Sequence, residues 1–158
     1  GGHISSHSGR DRYERLSREI YGLGPWRLML ERDGFSGEKR CTLTARGGRL
    51  FYQPGAVGFG LGKSDLGDAM VRVDGGAAIS FRDLLPELAA ARVRISGRYM
   101  DRPTDGMVWV PISRLGNAGT VAIAPRFGGK VRRFTVAGFE RLVAYARAQG
   151  CEPEGAQP

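Results

Sequence analysis

Three groups of residues in this chain have types and spacings that chemistry could use. The first is Gly58-Phe59-Gly60-Leu61-Gly62-Lys63-Ser64. It ends like a phosphate-binding loop, where backbone amides and a following helix N-terminus cradle phosphate. That pattern needs a glycine at position 57, which is Val57, and a helix after Ser64. The residues that follow, Asp65-Leu66-Gly67-Asp68, make a poor first helical turn. A glycine-rich hairpin or a loop crossing a sheet edge is the expectation, with no nucleotide and no other cofactor.

The second group is the acid/base and metal-binding inventory. His3 and His7 are the only histidines, and both lie in the N-terminal tail. A Ser-His-Asp or Cys-His hydrolase therefore lacks its base in the folded part. Two cysteines far apart in sequence are too few to hold zinc, and Lys63 beside Ser64 has no supporting pattern for a Ser–Lys dyad. Asp65, Asp68 and Asp74 lie near one another in sequence, and an acidic pair could serve as general acid and base. Asp33, Asp74 and Asp105 each precede glycine, which turn formation explains more simply. The expectation is no metal site and no enzyme. A carboxylate-dependent enzyme acting on a glycan is kept as an alternative, requiring two carboxylates across a cleft.

The third group is basic. Of 24 basic residues, three are lysine (Lys39, Lys63, Lys130) and the rest arginine; against 16 acidic residues the net charge is +8. Such a balance favours an anionic partner: nucleic acid, phospholipid headgroups or an acidic polymer. Arg92, Arg94 and Arg98 form one candidate binding cluster, with Arg92 and Arg94 on one face of an alternating segment. Arg126, Lys130, Arg132 and Arg133 form the other. Tyr99, Trp109, Phe127 and Phe134 could stack on bases if the partner were single-stranded nucleic acid. The simpler reading of either cluster is a solvated strand face.

These groups sit on elements that can be read from pattern. The 158 residues suit one domain, and 25 glycines with short apolar runs point to turn-rich β structure. Residues 1–9 read as a disordered tail or remnant, such as follows a removed signal peptide. Residues 10–23 read as a short amphipathic helix, from Tyr13, Leu16, Ile20 and Tyr21 at helical spacing. Strands are expected at Trp26–Glu31, Arg40–Ala45, Arg49–Tyr52, Val57–Leu61, Ala69–Val73, Ala77–Phe81, Arg92–Ser96, Met107–Ile112, Thr120–Ala124 and Val131–Val136. A helical turn or short helix fits 82–91. A final helix fits Phe139–Gln149, with Phe139, Leu142, Val143 and Ala146 as its core stripe and Gly150 closing it. Residues 24–151 form one β-rich domain, and 152–158 a polar tail.

Cys41 lies among apolar residues in a strand, where a buried thiol would be ordinary. Cys151 lies after the last helix and before a polar tail, where an unpaired thiol would be exposed. A Cys41–Cys151 bridge is the expectation, and it implies an oxidising compartment.

The order of Trp26 in a first strand, Asp33-Gly34-Phe35-Ser36-Gly37, Cys41-Thr42-Leu43, Arg72-Val73-Asp74-Gly75-Gly76 and Arg133-Phe134-Thr135-Val136-Ala137-Gly138-Phe139 before a helix ending at Cys151 resembles bacterial periplasmic β-sandwich proteins of the invasion-associated locus B type. It is also similar to small type VI secretion-associated envelope proteins. The resemblance spans about residues 26–151 and implies a periplasmic or secreted binding protein without enzymatic chemistry. The expected fold is mainly β: an antiparallel β-sandwich or partly closed barrel of about seven to nine strands, with a C-terminal α-helix and a short N-terminal helix. The expected role is that of a non-enzymatic cell-envelope protein contacting a protein or anionic partner, the alternative partner being nucleic acid.

Overall fold

Alternation of Trp26, Leu28 and Leu30 with Arg27, Met29 and Glu31 makes β3 (Trp26–Asp33) a strand with one buried face. It pairs antiparallel with β4 (Lys39–Ala45), placing Leu28 opposite Leu43 and Leu30 opposite Cys41. The computed structural model describes residues 3–10, 16–62, 65–95 and 106–156. On the other side of β3 lies β2 (Leu16–Leu23), and beyond it β1 (Ser5–Arg10), both antiparallel. The sheet ends with β12 (Pro153–Gly155), which runs parallel to β4. Its order is β1-β2-β3-β4-β12.

Two smaller sheets complete the β structure. One contains β5 (Leu50–Gln53), β6 (Ala56–Gly60) and β9 (Met107–Pro111), in that order. The other contains β7 (Met70–Val73), β8 (Ile79–Ser80), β10 (Thr120–Ala124) and β11 (Arg132–Thr135), in the order β11-β10-β7-β8. Every pairing except β12–β4 is antiparallel. The fold is thus mainly antiparallel β with a C-terminal helix, as expected, but built from three open sheets, none closed into a barrel.

Three helices are described. The first, α1 (Phe81–Ala90), is capped by the Ser80 hydroxyl, which accepts from the Arg82 amide. It buries Phe81, Leu84, Leu85 and Leu88, and carries Pro86 inside it. A single turn, α2 (Ile112–Leu115), is joined to α1 by Arg114, whose guanidinium donates to both oxygens of Glu87. The C-terminal α3 (Phe139–Ala148) buries Phe139, Leu142, Val143 and Ala146. Phe139 stacks at a tilt on Trp26 and Tyr145 on Tyr21, with ring centroids 5.8 and 4.6 Å apart. The helix therefore covers the face of β2–β4 that carries Trp26, Leu28 and Leu43. No helix among the described residues is long and apolar enough to cross a membrane.

The Cys41–Cys151 disulfide forms, with Cα atoms 6.1 Å apart. Both cysteines are buried. Two other links join the same parts of the chain. The Trp26 indole donates to the Val136 carbonyl at 2.9 Å, and Lys39 Nζ to the Gln149 carbonyl at 2.7 Å.

Three expectations are corrected. The amphipathic helix expected over 10–23 is replaced in its described part by strand: Arg10 ends β1 and Leu16–Leu23 is β2, with 11–15 outside the described residues. Four apolar residues over so short a stretch fit either period, and the open edge of β3 decides in favour of a strand. The tail is not free over its whole length, since β1 pairs with β2. Arg92–Ile95 does not join a sheet either. Arg92 has a φ of 59° just after α1, and the Val93 amide returns to the Leu88 carbonyl. The Gln53 side chain then takes a strand's place. Its Oε1 accepts from the Arg94 amide and its Nε2 donates to the Arg94 carbonyl, both at 2.9 Å.

Candidate anion-binding face

The glycine-rich segment is structural. Gly58 sits in β6 directly opposite Trp109 of β9, and a Cβ there would lie 2.8 Å from the indole ring. The missing side chain lets the Trp109 ring lie across the strand in the core. Lys63 and Ser64 are outside the described residues, but β7 lies a few residues on, where a phosphate loop would open a helix.

Asp65, Asp68 and Asp74 are each engaged locally, while Asp105 lies outside the described residues. Asp65 Oδ1 accepts from the Gly67 amide at 3.3 Å, and Asp68 faces Arg82 at 3.8 Å. Asp74 Oδ1 accepts from the amides of Thr120 and Gly119, at 2.9 and 3.0 Å. Those bonds to the charged form, Thr120 first, hold the Asp74 carboxyl below its ordinary value. Asp74 therefore works as a clamp between the β7 end and the start of β10. Among the described residues no cluster of His, Cys, Asp or Glu is arranged to hold a metal ion.

The two basic clusters separate. Arg92 and Arg94 are exposed beside Gln53 and the β5–β6 turn, next to the three-stranded sheet. Arg98 lies outside the described residues. Arg126, Lys130, Arg132 and Arg133 belong to the β10–β11 hairpin of the four-stranded sheet.

Within that hairpin, register sorts the arginines. Arg133 pairs with Ala122, and Ala122 pairs on its other side with Arg72 of β7. The three residues stand in one row across the sheet and share its outer face. With neighbouring strands about 4.8 Å apart, the two arginines are rooted about 10 Å from each other. Arg132 pairs with Ile123, on the opposite face, whose Val121, Ile123 and Val71 are buried. Arg132 and Arg133 thus point apart, as adjacent strand residues must.

The outer face is a shallow cleft of about 160 Å³, lined by Met70, Arg72, Ala122, Ala124, Val131 and Arg133 among others. Its floor is small and apolar because alanines occupy β10. Arg72, Arg126, Lys130 and Arg133 have no ion-pair partner among the described residues. Arg72 escapes a search for runs of basic residues, since it stands alone in sequence; only strand pairing delivers it to the site.

The stacking candidates divide too. Trp109 is buried and Phe134 packs edge-on against Phe59 at 5.1 Å, while Tyr99 is outside the described residues. Phe127 is wholly exposed at the hairpin tip. A second, larger cleft of about 410 Å³ lies over β2 and β3, lined by His3, Ser5, Ile20, Arg27 and Arg46 among others. Arg46 there is committed to the Gly24 carbonyl at 3.2 Å. No family model, no curated protein and no solved structure matches this chain.

Proposed function

We propose that this is a non-enzymatic cell-envelope protein of an oxidising, extracytoplasmic compartment that binds an anionic partner through the outer face of β7, β10 and β11. The observation that carries the reading is the row Arg72–Ala122–Arg133: two guanidiniums without an ion-pair partner among the described residues, flanking an apolar floor on one sheet face. Guanidinium groups held apart over such a floor can each take a phosphate, sulfate or carboxylate in a two-point contact, and among the described residues neither is in an ion pair with a carboxylate. The compartment rests on the Cys41–Cys151 bridge, a bond that persists where thiols are kept oxidised. The resemblance of residues 26–151 to periplasmic β-sandwich proteins of the invasion-associated locus B type supports the same reading.

Binding to inorganic polyphosphate tests the reading. The unmodified protein binds it with an affinity that falls steeply with salt. Arg72→Glu/Arg133→Glu weakens binding at least tenfold, whereas Arg92→Glu/Arg94→Glu, an equal change of charge elsewhere, has a markedly smaller effect. Equal losses for the two pairs would reduce the effect to net charge and remove the site.

A further inference from the structure

The tip of the β10–β11 hairpin has a construction that the sheet does not require. Arg126–Gly129 is a β-turn in which the Gly129 amide donates to the Arg126 carbonyl at 2.9 Å. Gly128 has a φ of 69°, as the third position of a type II turn demands, and a Cβ on Gly129 would meet Arg126 at 3.0 Å. Two glycines thereby build a tight apex whose second residue, Phe127, is fully exposed. Arg126 precedes it, Lys130 follows three residues on, and Val131 behind them is 43% exposed. From Gly106 to Phe139 the sequence contains no carboxylate. The acidic residue before β7, Asp68, is already opposite Arg82.

We infer that this hairpin docks on an anionic lipid bilayer, with Phe127 entering the headgroup layer and Arg126, Lys130 and the outer-face arginines held against lipid phosphates. This rests on the anion-binding reading and names the partner. An aromatic side chain at an exposed apex gains free energy only where it leaves water, and a bilayer interface receives it without a preformed pocket. The surrounding cations are then in place for attraction to a negatively charged surface. A single-stranded nucleic acid would instead call for several aromatics along a groove. Here Trp109 and Phe134, the other described candidates, are engaged in the core.

The test is co-sedimentation of the whole disulfide-bonded chain with vesicles of phosphatidylcholine, with and without phosphatidylglycerol, beside polyphosphate binding. The expected result is sedimentation with the phosphatidylglycerol vesicles alone, lowered roughly tenfold by Phe127→Ser with polyphosphate affinity unchanged. Because Phe127 touches no core residue, Phe127→Trp folds as well, and its added emission shifts to the blue with vesicles beyond any change in the unmodified protein. Equal sedimentation of Phe127→Ser and the unmodified protein would overturn bilayer insertion. So would a loss in Phe127→Ser of affinity for single-stranded DNA with vesicle binding intact, which would assign the side chain to base stacking. Both of these results leave the anion-binding face standing. Failure of the unmodified protein to bind polyphosphate at low salt would instead remove that reading and this one together.

Discussion

Cys151 is bonded to Cys41 across 110 residues, and two positions later Pro153 stands beside the same Cys41 as its partner in the parallel β12–β4 pairing. The bridge and the strand therefore act on one point. The helix α3 runs over the sheet, Gly150 turns the chain with a φ of 75°, and the disulfide delivers the next residues to the β4 edge. Arg147 and Glu152 span the same corner as an ion pair of 2.8 Å.

Breaking the bridge should loosen that corner and the helix with it. In the chain-entropy treatment a closed loop of this length stabilises by on the order of 4–5 kcal/mol. Cys41→Ala/Cys151→Ala is expected to lose a large part of this, seen as a lower thermal midpoint. The unmodified protein under strong reductant should melt close to the double variant. Identical melting of reduced and oxidised protein would contradict the role given to the bond.

Among the described glycines, Gly155 has the tightest backbone approach. A Cβ at this position would stand 1.4 Å from the Tyr52 carbonyl oxygen of β5, and backbone cannot yield as a side chain can. Gly155→Ala should push β12 off its place and destabilise the fold by about 2–3 kcal/mol. Gly60→Ala, where the nearest atoms lie 3.6 Å away, should be close to neutral. Urea unfolding of the two variants measures the contrast, and similar midpoints would refute it.

Asp74 predicts an acid-side dependence. Its folded pKa lies below the ordinary 3.8, through the amides of Thr120 and Gly119. Its contribution is therefore complete above the unfolded value and disappears as pH falls through the folded one. Glu87 and Glu152, lowered chiefly by their bonds to Arg114 and Arg147, lose stabilisation in the same direction. The informative quantity is thus a difference. The gap in melting temperature between the unmodified protein and Asp74→Asn should be largest near neutrality and narrow below about pH 4. A gap independent of pH would rule out the clamp.

Much of the β structure was legible because its strands carry their own evidence. Trp26–Glu31 and the Phe139 helix each show a period that local geometry enforces, and each forms close to its expected bounds. Elements without such a period were missed. Leu16–Leu23 has a pattern compatible with either helix or strand, and Pro153–Gly155 has no strand propensity at all; neighbouring edges and the disulfide decide them. Arg92–Ile95 shows the reverse error. It has the alternation of a strand, yet its polar backbone is satisfied by the Gln53 side chain.

The candidate site divides in the same way. Residue types alone determined that this chain is rich in arginine, poor in histidine and equipped with one cysteine pair, because composition and local context suffice for those statements. Period-two geometry already separates Arg132 from Arg133 once the strand is accepted. That Arg133 and Arg72 share a face, with Ala122 between them, was decided only by tertiary structure. Pairing register joins residues about sixty positions apart in sequence, and it follows from which buried faces fit together, a property of the whole core rather than of any segment.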